Sequence, residues 1–348
     1  MNAKKKIAVI FGGTNTEHEV SIVSARSVIE NLDKSKYIPI PIKITKKNSW
    51  INQKGKNIDP IKTLKKVDIA FPVIHGPFGE DGTLQGLFEM IKIPYIGCGV
   101  LASALCMDKA TQKSLCLRYK IPTPLFFWLT NYDWKTSKQK IIKHIESNYT
   151  YPLFVKPSNQ GSSVGISKTT NIKELKKAIG FALKYDTKVI IEQGIENAKE
   201  IECSILGNHN PKASVLGEIV SSNDFYDYDA KYIDGQSKEI IPAKLPENIA
   251  KSIRFDAIKA FQILDCSGLA RADFLYDHKN KKYYLNELNT MPGFTQISMY
   301  PKLWQASGLT YSRLLHQLIE LGFNRHQQRS RINYSYKPKK QWYTNKKP

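Results

Sequence analysis

The sequence predicts a mixed α/β and α+β fold, in which an N-terminal α/β domain with an open parallel sheet precedes a module of two lobes. The segment KIAVIF (6–11) has the apolar pattern of a buried strand, and it runs through Gly12-Gly13 into a helix with apolar residues at helical spacing. Two later segments, 151–169 and 271–293, each predict a pair of strands around a polar turn. A strand–glycine–helix opening followed by strand pairs indicates an α/β layer and then an α+β module.

Composition limits the class of protein. The 348 residues are enough for two or three domains, and 41% hydrophobic with 24% charged residues is ordinary for a globular protein. No apolar run reaches the roughly 18 residues of a membrane span. The five cysteines are odd in number and lack a C-x-x-C pair, which argues against a disulfide framework and a zinc site. They favour a reduced, cytoplasmic setting.

The net charge of +21 makes nucleic acid, a membrane surface or a phosphate-bearing substrate candidate partners. Part of the excess is local, because residues 325–348 carry eight Lys or Arg and no acid. This composition predicts a disordered tail that is dispensable for catalysis. A nucleic-acid-binding protein is the rival from another class, but no recognition motif or aromatic stacking platform accompanies the charge.

In the N-terminal part, strands are predicted near 37–44, 67–74 and 93–99. One helix is predicted directly after residue 82, and another at 103–120. Glu17 and His75 each follow a strand, at the sheet edge where open α/β folds bind ligands. The alternatives are that Glu17 only complements a helix dipole and that His75 belongs to a tight glycine loop without chemistry. Ile121-Pro-Thr-Pro124 predicts the first domain boundary near 120.

The middle of the chain predicts a strand at 151–157, a Gly/Ser loop at 158–165 and a short strand after it. Backbone N–H groups and hydroxyls of such a loop can close over phosphates, and Lys156 can add a point charge. The alternative is a flexible surface hairpin. A helix at 172–185 with Asn171 as its N-cap and a strand at 188–195 follow.

Residues 221–242 are rich in Tyr and Asp and show no apolar period, which predicts a lid or binding loop, with Lys231 and Tyr232 as its candidates for chemistry. A helix is predicted at 251–264. The final helix is predicted at 309–323, with Gly322 near its C-terminus.

The segment 271–293 (RADFLYDHKNKKYYLNELNTMPG) predicts an antiparallel hairpin that turns near Lys279 or Asn280. Alternate residues of a strand share a face, so Arg271 with Asp273 and Glu287 with Asn289 would lie opposite one another. Two carboxylates and an amide oxygen suit Mg²⁺, which shares its sphere with substrate phosphates. The alternative is a solvated hairpin face.

Six segments of the chain, in order, resemble the D-alanine–D-alanine ligases of the ATP-grasp superfamily: GGTNTEHEVS, HGPFGEDGTLQG, VKPSNQGSSVG, YDYDAKY, RADF and NELNTMPGFTQISMYP. The resemblance runs from about residue 5 to 323. It implies a substrate-binding α/β domain at 1–120 and a two-lobed ATP-grasp module at 121–198 and 199–324. The lid 221–242 and the metal-binding hairpin belong to the second lobe, and the basic tail 325–348 lies outside.

The resemblance also implies the reaction: ATP-dependent joining of two D-alanines through an acyl phosphate, for peptidoglycan precursor synthesis. ATP and two Mg²⁺ (or Mn²⁺) are the implied cofactors, and a cytoplasmic homodimer without a membrane or a specific nucleic acid is the implied state. Alternatives are D-alanyl-D-lactate or D-Ala-D-Ser formation, or another ATP-grasp carboxylate–amine ligation. Family members with the pair found at Lys231-Tyr232 usually form the dipeptide.

Site residues follow from the same resemblance. Those matching catalytic residues are Glu17, Ser162, Tyr232, Arg271 and Gly293, of which Arg271 and Gly293 match oxyanion stabilisers. Those matching substrate contacts are Glu17 and His75 for the first D-alanine, Ser298 and Met299 for the second, and Arg271. Those matching ATP contacts are Lys109, Lys156, Ser162, Ser163, Glu192, Gln193, Ile195, Glu200 and Lys231. The metal ligands are Asp273, Glu287 and Asn289. Gln193 departs from the family, where lysine is frequent, so altered adenine contacts are expected.

Overall fold

The computed structural model describes residues 3–220 and 238–336. Its N-terminal sheet contains β1 (Lys5–Gly12), β2 (Tyr37–Ile44), β3 (Trp50–Asn52) and β4 (Ile69–Pro72), in the order β3-β2-β1-β4. Strand β1 pairs in parallel with both of its neighbours, and only the edge strand β3 is antiparallel. The predicted open parallel sheet is therefore confirmed, with one antiparallel edge.

Five helices follow in this part of the described chain: α1 (His18–Asn31), α2 (Pro60–Leu64), α3 (Thr83–Ile91), α4 (Val100–Met107) and α5 (Lys109–Arg118). Two predictions were wrong here. The segment 93–99 makes only an isolated bridge, between Ala70 and Tyr95. The single helix predicted at 103–120 is two helices, because the Asp108 side chain accepts a hydrogen bond from the Thr111 N–H and starts a new helix there.

The central sheet is antiparallel throughout, with β5 (Phe126–Thr130), β6 (Leu153–Pro157), β7 (Ser167–Thr169) and β8 (Lys188–Gln193) in the order β5-β8-β6-β7. Helices α6 (Asn131–Asn148) and α7 (Ile172–Ala182) share one apolar cluster with it. Asn171 caps α7 by accepting the Glu174 N–H, which confirms the predicted N-cap. The Gly/Ser loop 158–165 joins β6 to β7.

The third sheet contains β9 (Lys199–Gly207), β10 (Lys212–Val220), β11 (Lys238–Ile240), β12 (Gly268–Asp277) and β13 (Lys282–Asn289), in the order β11-β10-β9-β12-β13. Helices α8 (Glu247–Ile263) and α9 (Met299–Ala306) accompany it. Most of the predicted lid, 221–237, lies outside the described residues. For its last part the predicted loop is wrong, because 238–240 form β11 and extend the sheet by pairing with β10.

The last helix, α10 (Tyr311–Ser330), is longer than predicted, and the disorder expected from residue 325 is wrong for its final turns. The Arg325 guanidinium lies 3.9 Å above the Tyr95 ring, and Arg329 is 3.3 Å from the Glu89 carboxylate. Gly322 lies inside this helix rather than at its end. A Cβ there would come within 2.9 Å of the Tyr95 carbonyl oxygen, so glycine permits the close approach.

One apolar cluster joins the N-terminal sheet to the third sheet. It contains Ile7 and Phe71 from the first, Leu269 from β12, and Leu318 from α10, all fully buried. The shared packing fixes the edge of the N-terminal sheet against the loop that follows β13. In the described part of the chain, no helix combines the length and the apolar character needed to cross a membrane.

Candidate active site

A cavity of about 1090 Å³ lies where these elements meet. Its lining includes Glu17, His75, Ser162, Arg271, Glu287, Asn289, Gly293, Ser298 and Met299, all of them named from the sequence. Glu17 and His75 follow β1 and β4, at the carboxyl ends of parallel strands where ligands bind in α/β folds. Residues separated by up to 282 positions in the sequence thus face one space.

Glu17 is bound by the Gly/Ser loop that joins β6 to β7. The Ser162 hydroxyl donates to the Glu17 carboxylate at 2.5 Å, and that carboxylate is largely buried at the start of α1. Ser162 and its neighbour Ser163 have φ values of +47° and +60°, a region that non-glycine residues rarely occupy. A Cβ on Gly161 would lie 2.8 Å from the same carboxylate. The loop therefore approaches Glu17 through a strained, glycine-dependent turn.

The hairpin has the predicted register. Arg271 pairs with Asn289 and Asp273 with Glu287, while the alternate residues Ala272 and Phe274 face the apolar core. The polar side chains therefore share the opposite face, as the alternation predicted.

Arg271 is held in a fixed orientation. Its Nε and Nη2 donate to the two oxygens of Asp273 at 2.7 and 2.6 Å, and Nε lies 3.1 Å from Glu202. Burial opposes the guanidinium charge, but Asp273 and Glu202 outweigh it and raise the pKa of Arg271 well above its ordinary value. Asn289 donates to Asp273 at 2.9 Å. The site thus presents a permanently charged donor whose position is set by two carboxylates.

Lys109 connects this hairpin with the Gly/Ser loop. Its ammonium lies 3.3 Å from Glu287 and donates to the Gln160 carbonyl at 2.7 Å. The residue stands at the start of α5, directly after the helix break at Asp108. This helix break, which was not predicted from the sequence, therefore places a lysine between the proposed phosphate loop and the hairpin.

Behind the loop, Glu192 is buried between two lysines. Its carboxylate lies 2.9 Å from the Lys113 ammonium and 2.5 Å from that of Lys156. Burial would raise the pKa of Glu192, but the two ammonium groups outweigh it and hold that pKa at about 2. Lys113 was missed in the sequence, although its place one helical turn after Lys109 was the available signal.

The other predicted ATP contacts of this region lie along or just after β8 and β9. Both ends of the Gln193 amide bind the backbone of Thr150, accepting its N–H at 2.9 Å and donating to its carbonyl at 2.5 Å. Ile195 follows β8, and Glu200 is the second residue of β9. The cavity lining found in the described residues does not include these side chains, Lys109, Lys156, Ser163, Glu192 or Asp273. Among them, Lys109 and Asp273 contact the lining residues Glu287 and Arg271.

His75 and Glu80 contact the loop after β13. The His75 Nδ1 lies 2.9 Å from the Met291 carbonyl, and the Glu80 carboxylate accepts the N–H groups of Gly76 and Met291 at 2.8 and 3.2 Å. Burial lowers the pKa of His75, while burial and the Glu17 charge raise the pKa of Glu80 to about 8. Glu80 was not predicted from the sequence, where its only signal was an acid inside a glycine-rich loop.

The far end of the cavity is formed by the start of α9. Ser298 precedes this helix, and its hydroxyl accepts the Thr295 N–H at 3.0 Å. A Cβ on Gly293 would lie 2.6 Å from that hydroxyl oxygen, so the turn needs a glycine. Met299 is the first residue of the helix. Lys231 and Tyr232, predicted from the sequence, lie outside the described residues.

Two family models match the chain. The model described as D-ala D-ala ligase C-terminus matches residues 115–320, and the one described as D-ala D-ala ligase N-terminus matches residues 6–62 and 52–98. The chain belongs to the D-alanine–D-alanine ligase family. A D-alanine–D-alanine ligase of Caldicellulosiruptor bescii is 48% identical over 360 residues, covering 95% of this chain and 99% of that protein.

Solved structures of related ligases have the same fold as this chain. The VanG D-Ala:D-Ser ligase of Enterococcus faecalis is 39% identical with a TM-score of 0.82, covering 92% of this chain and 100% of that chain. A D-alanine–D-alanine ligase of Bacillus anthracis complexed with ATP is 34% identical with a TM-score of 0.78, covering 94% of this chain and 100% of that chain. The predicted α/β domain followed by an ATP-grasp module is thereby confirmed.

The donor chemistry of the hairpin suits a hard cation. Asp273 and Glu287 supply carboxylates and Asn289 an amide oxygen, the ligand types that Mg²⁺ prefers. Within residues 3–220 and 238–336, no three or more His, Cys, Asp or Glu side chains converge as a metal site. A cation here would therefore depend on a carboxylate pair, the amide and oxygens from a bound phosphate, which is the usual pattern for Mg²⁺ in phosphoryl-transfer sites.

Proposed function

We propose that this protein is an ATP-dependent ligase that joins two D-alanines into D-alanyl-D-alanine, with release of ADP and phosphate. The observation that carries the proposal is the single cavity that brings together Glu17, Arg271 and Ser298. It offers an anion for an ammonium, a fixed cation for a developing oxyanion and a hydroxyl at a helix start for a carboxylate. The 48% identity to a curated ligase over nearly the whole chain supports the same reaction.

Glu17 is proposed to receive the ammonium of the first D-alanine, beside His75. The hydrogen bond from Ser162 fixes one oxygen of Glu17 and leaves the carboxylate facing the cavity. The resemblance implies that Tyr232 acts together with Glu17 and Ser162 in deprotonation. The carboxylate oxygen of the first D-alanine then attacks the γ-phosphorus of ATP, ADP leaves, and an acyl phosphate forms.

The ATP contacts are proposed around the Gly/Ser loop and along β8. Lys109, Lys156 and Lys231 would neutralise phosphates, with Ser162 and Ser163 of the Gly/Ser loop closing over them. The purine and ribose would lie along Glu192, Gln193, Ile195 and Glu200. The ATP complex of the Bacillus anthracis relative supports this nucleotide. Phosphoryl transfer requires positioning and charge neutralisation, which lysines and backbone N–H groups supply.

We assign Asp273, Glu287 and Asn289 as the side chains that would hold two Mg²⁺ (or Mn²⁺). When bound, these ions neutralise charge on the phosphate oxygens. The Lys109 ammonium beside Glu287 already brings a positive charge to the same place.

In the second half of the reaction, the amine of the second D-alanine attacks the carbonyl of the acyl phosphate. A C–N bond forms, the amine loses a proton, and inorganic phosphate leaves with the electron pair of the broken C–O bond. Arg271 and the Gly293 backbone N–H are the proposed donors to the oxyanion, and Ser298 with Met299 would hold the acceptor carboxylate. Arg271 suits this role because Asp273 and Glu202 fix it before the reaction begins.

An ADP-release assay with D-Ala, L-Ala, D-Ser and D-lactate, combined with mass spectrometry of the products, tests the proposal. We expect D-alanyl-D-alanine to dominate at neutral pH when D-Ala and D-lactate are supplied at equal concentration. Dominant D-lactate or D-Ser incorporation would contradict the acceptor assignment. Absence of ADP release with D-Ala would contradict the enzyme assignment itself.

The state of the protein in the cell is proposed by the same resemblance. We expect a cytoplasmic homodimer that supplies a peptidoglycan precursor. The five cysteines are all free and buried, which suits a reducing compartment. Sedimentation velocity across a concentration series measures the oligomeric state, and a monomer at every concentration would contradict the dimer.

A further inference from the structure

The loop 290–294, which follows β13, is held from three directions by side chains of the N-terminal part of the chain. The Met291 N–H donates to Glu80 at 3.2 Å, and the Met291 carbonyl faces His75 Nδ1 at 2.9 Å. The Phe294 N–H donates to the Ser24 hydroxyl oxygen at 3.4 Å. We name Ser24, His75 and Glu80 together the loop clamp.

The protons of the clamp can be assigned from donor and acceptor chemistry. The Met291 carbonyl only accepts, so His75 must carry its proton on Nδ1. Its Nε2 then accepts from the Ser24 hydroxyl, 3.1 Å away, and the Ser24 oxygen is left to accept the Phe294 N–H. One neutral tautomer of His75 satisfies every bond. The lowered pKa of this buried histidine agrees with the neutral form.

Glu80 extends the clamp to the first substrate position. One of its carboxylate oxygens accepts from Gly76 at 2.8 Å while the other accepts from Met291. Asn15 donates to the His75 carbonyl at 2.6 Å and accepts the Glu17 N–H at 3.0 Å. An unbroken series of hydrogen bonds therefore connects Glu17 with the loop 290–294.

Met291 lies between two residues with proposed roles. Asn289, a proposed metal ligand, is two residues before it, and Gly293, a proposed oxyanion donor, is two residues after it. Fixing both the N–H and the carbonyl of Met291 fixes the planar peptide units on either side of it. A displacement of about 1 Å in a group that takes part in a reaction can reduce the rate by roughly a hundredfold. The clamp therefore acts on a loop segment whose exact position affects the rate.

We propose that Ser24, His75 and Glu80 are positioning residues that set the oxyanion loop for the reaction from the N-terminal domain. The proposal rests on the proposed ligase function. It assigns His75 a role beyond lying beside the first D-alanine, and it gives Ser24 and Glu80 a role in the same reaction. A brace that merely joins two sheets would contribute stability and leave turnover unchanged.

The test compares Glu80→Gln and Ser24→Ala with a matched control, Ser21→Ala. Ser21 is buried on the same helix one turn earlier, but it bonds Gly12 and Val73 of the N-terminal sheet instead of the loop. Glutamine preserves the shape of Glu80 and can accept only through its single amide oxygen. Measured quantities are kcat, the KM for ATP and for each D-Ala, and amide hydrogen exchange of residues 289–295.

We expect Glu80→Gln and Ser24→Ala to lower kcat at least tenfold, to leave the KM for ATP within twofold, and to speed exchange in 289–295. Ser21→Ala is expected to change neither kcat nor that exchange. Unchanged kcat in both clamp variants of an active enzyme would overturn the clamp and leave the ligase function standing. If the wild-type protein proves inactive, the function fails, and unchanged exchange in 289–295 still overturns the clamp.

Discussion

Replacing Glu192 with glutamine tests how the fold tolerates two buried lysines beside β8. The side chains of Lys113 and Glu192 are 1% and 4% exposed, and that of Lys156 is 11% exposed. Glu192→Gln removes the only charge that both lysines contact at 2.9 Å or less in the described structure. Removing one partner of a buried ion pair costs about 3–5 kcal/mol, because the remaining charge stays buried.

The pKa of Glu192 gives an independent magnitude. A carboxyl shifted from 4.5 to about 2 in the folded state contributes about 3 kcal/mol of stability, at about 1.4 kcal/mol per unit. Because the folded pKa is depressed, this contribution is complete above the unfolded value of 4.5 and is lost as pH falls towards 2. We therefore expect Glu192→Gln to lower the free energy of unfolding by about 3 kcal/mol at pH 7, and by progressively less below pH 4.5.

Denaturant unfolding followed by circular dichroism at pH 7, 4 and 3 measures this difference. Lys113→Met is the control, because it removes one buried cation and leaves Glu192 paired with Lys156. It should cost less than Glu192→Gln, and the double variant should recover part of the loss. A Glu192→Gln cost below about 1 kcal/mol at pH 7, or one that does not shrink in acid, would refute the reasoning.

Two further predictions use glycines and the end of the last helix. Gly79→Ala should destabilise by about 1–3 kcal/mol and lower activity, because its Cβ would meet the Ile74 carbonyl oxygen at 2.2 Å. Gly180→Ala, with open space in the interior of α7, should stabilise by about 1 kcal/mol; equal effects in thermal unfolding would contradict the contrast. Arg325→Ala should cost about 1–2 kcal/mol through loss of its Tyr95 contact, whereas deletion of 337–348 should leave the melting temperature and ADP release unchanged. An unaffected melting temperature in Arg325→Ala, or lost activity on deletion, would count against these assignments.

The hairpin was predictable because its information is local. Period-two alternation separates Ala272 and Phe274 from Arg271 and Asp273, and the position of the turn then fixes which residue pairs with which. The N-terminal sheet was predictable for a similar reason, since buried parallel strands are continuous apolar runs. The family was recognised from the order of the six quoted segments. The family resemblance then implied roles for residues whose local patterns were ambiguous.

The errors and omissions share a different physical origin. Glu80 and Lys113 have partners 211 and 79 residues away, Met291 and Glu192, and the weak local signals of the two residues do not identify those partners. The last helix continues past 323, where the Arg325 guanidinium packs over the Tyr95 ring. The polar composition of this segment does not reveal that contact. The break at Asp108 was the exception, because an acid before Lys109 is a recognisable N-cap signal.

Gln193 shows how a departure from the family pattern can be local in its consequences. Its amide oxygen accepts the Thr150 N–H, and its amide nitrogen donates to the Thr150 carbonyl. Both polar atoms of the side chain therefore bind the backbone of the segment that leads into β6. A lysine has donors only and could not accept that N–H. At this position the glutamine therefore makes two hydrogen bonds to the backbone, where a lysine would present a positive charge. The positive charge beside β8 is carried by Lys113 and Lys156, which contact Glu192, one residue earlier and on the opposite face of the strand.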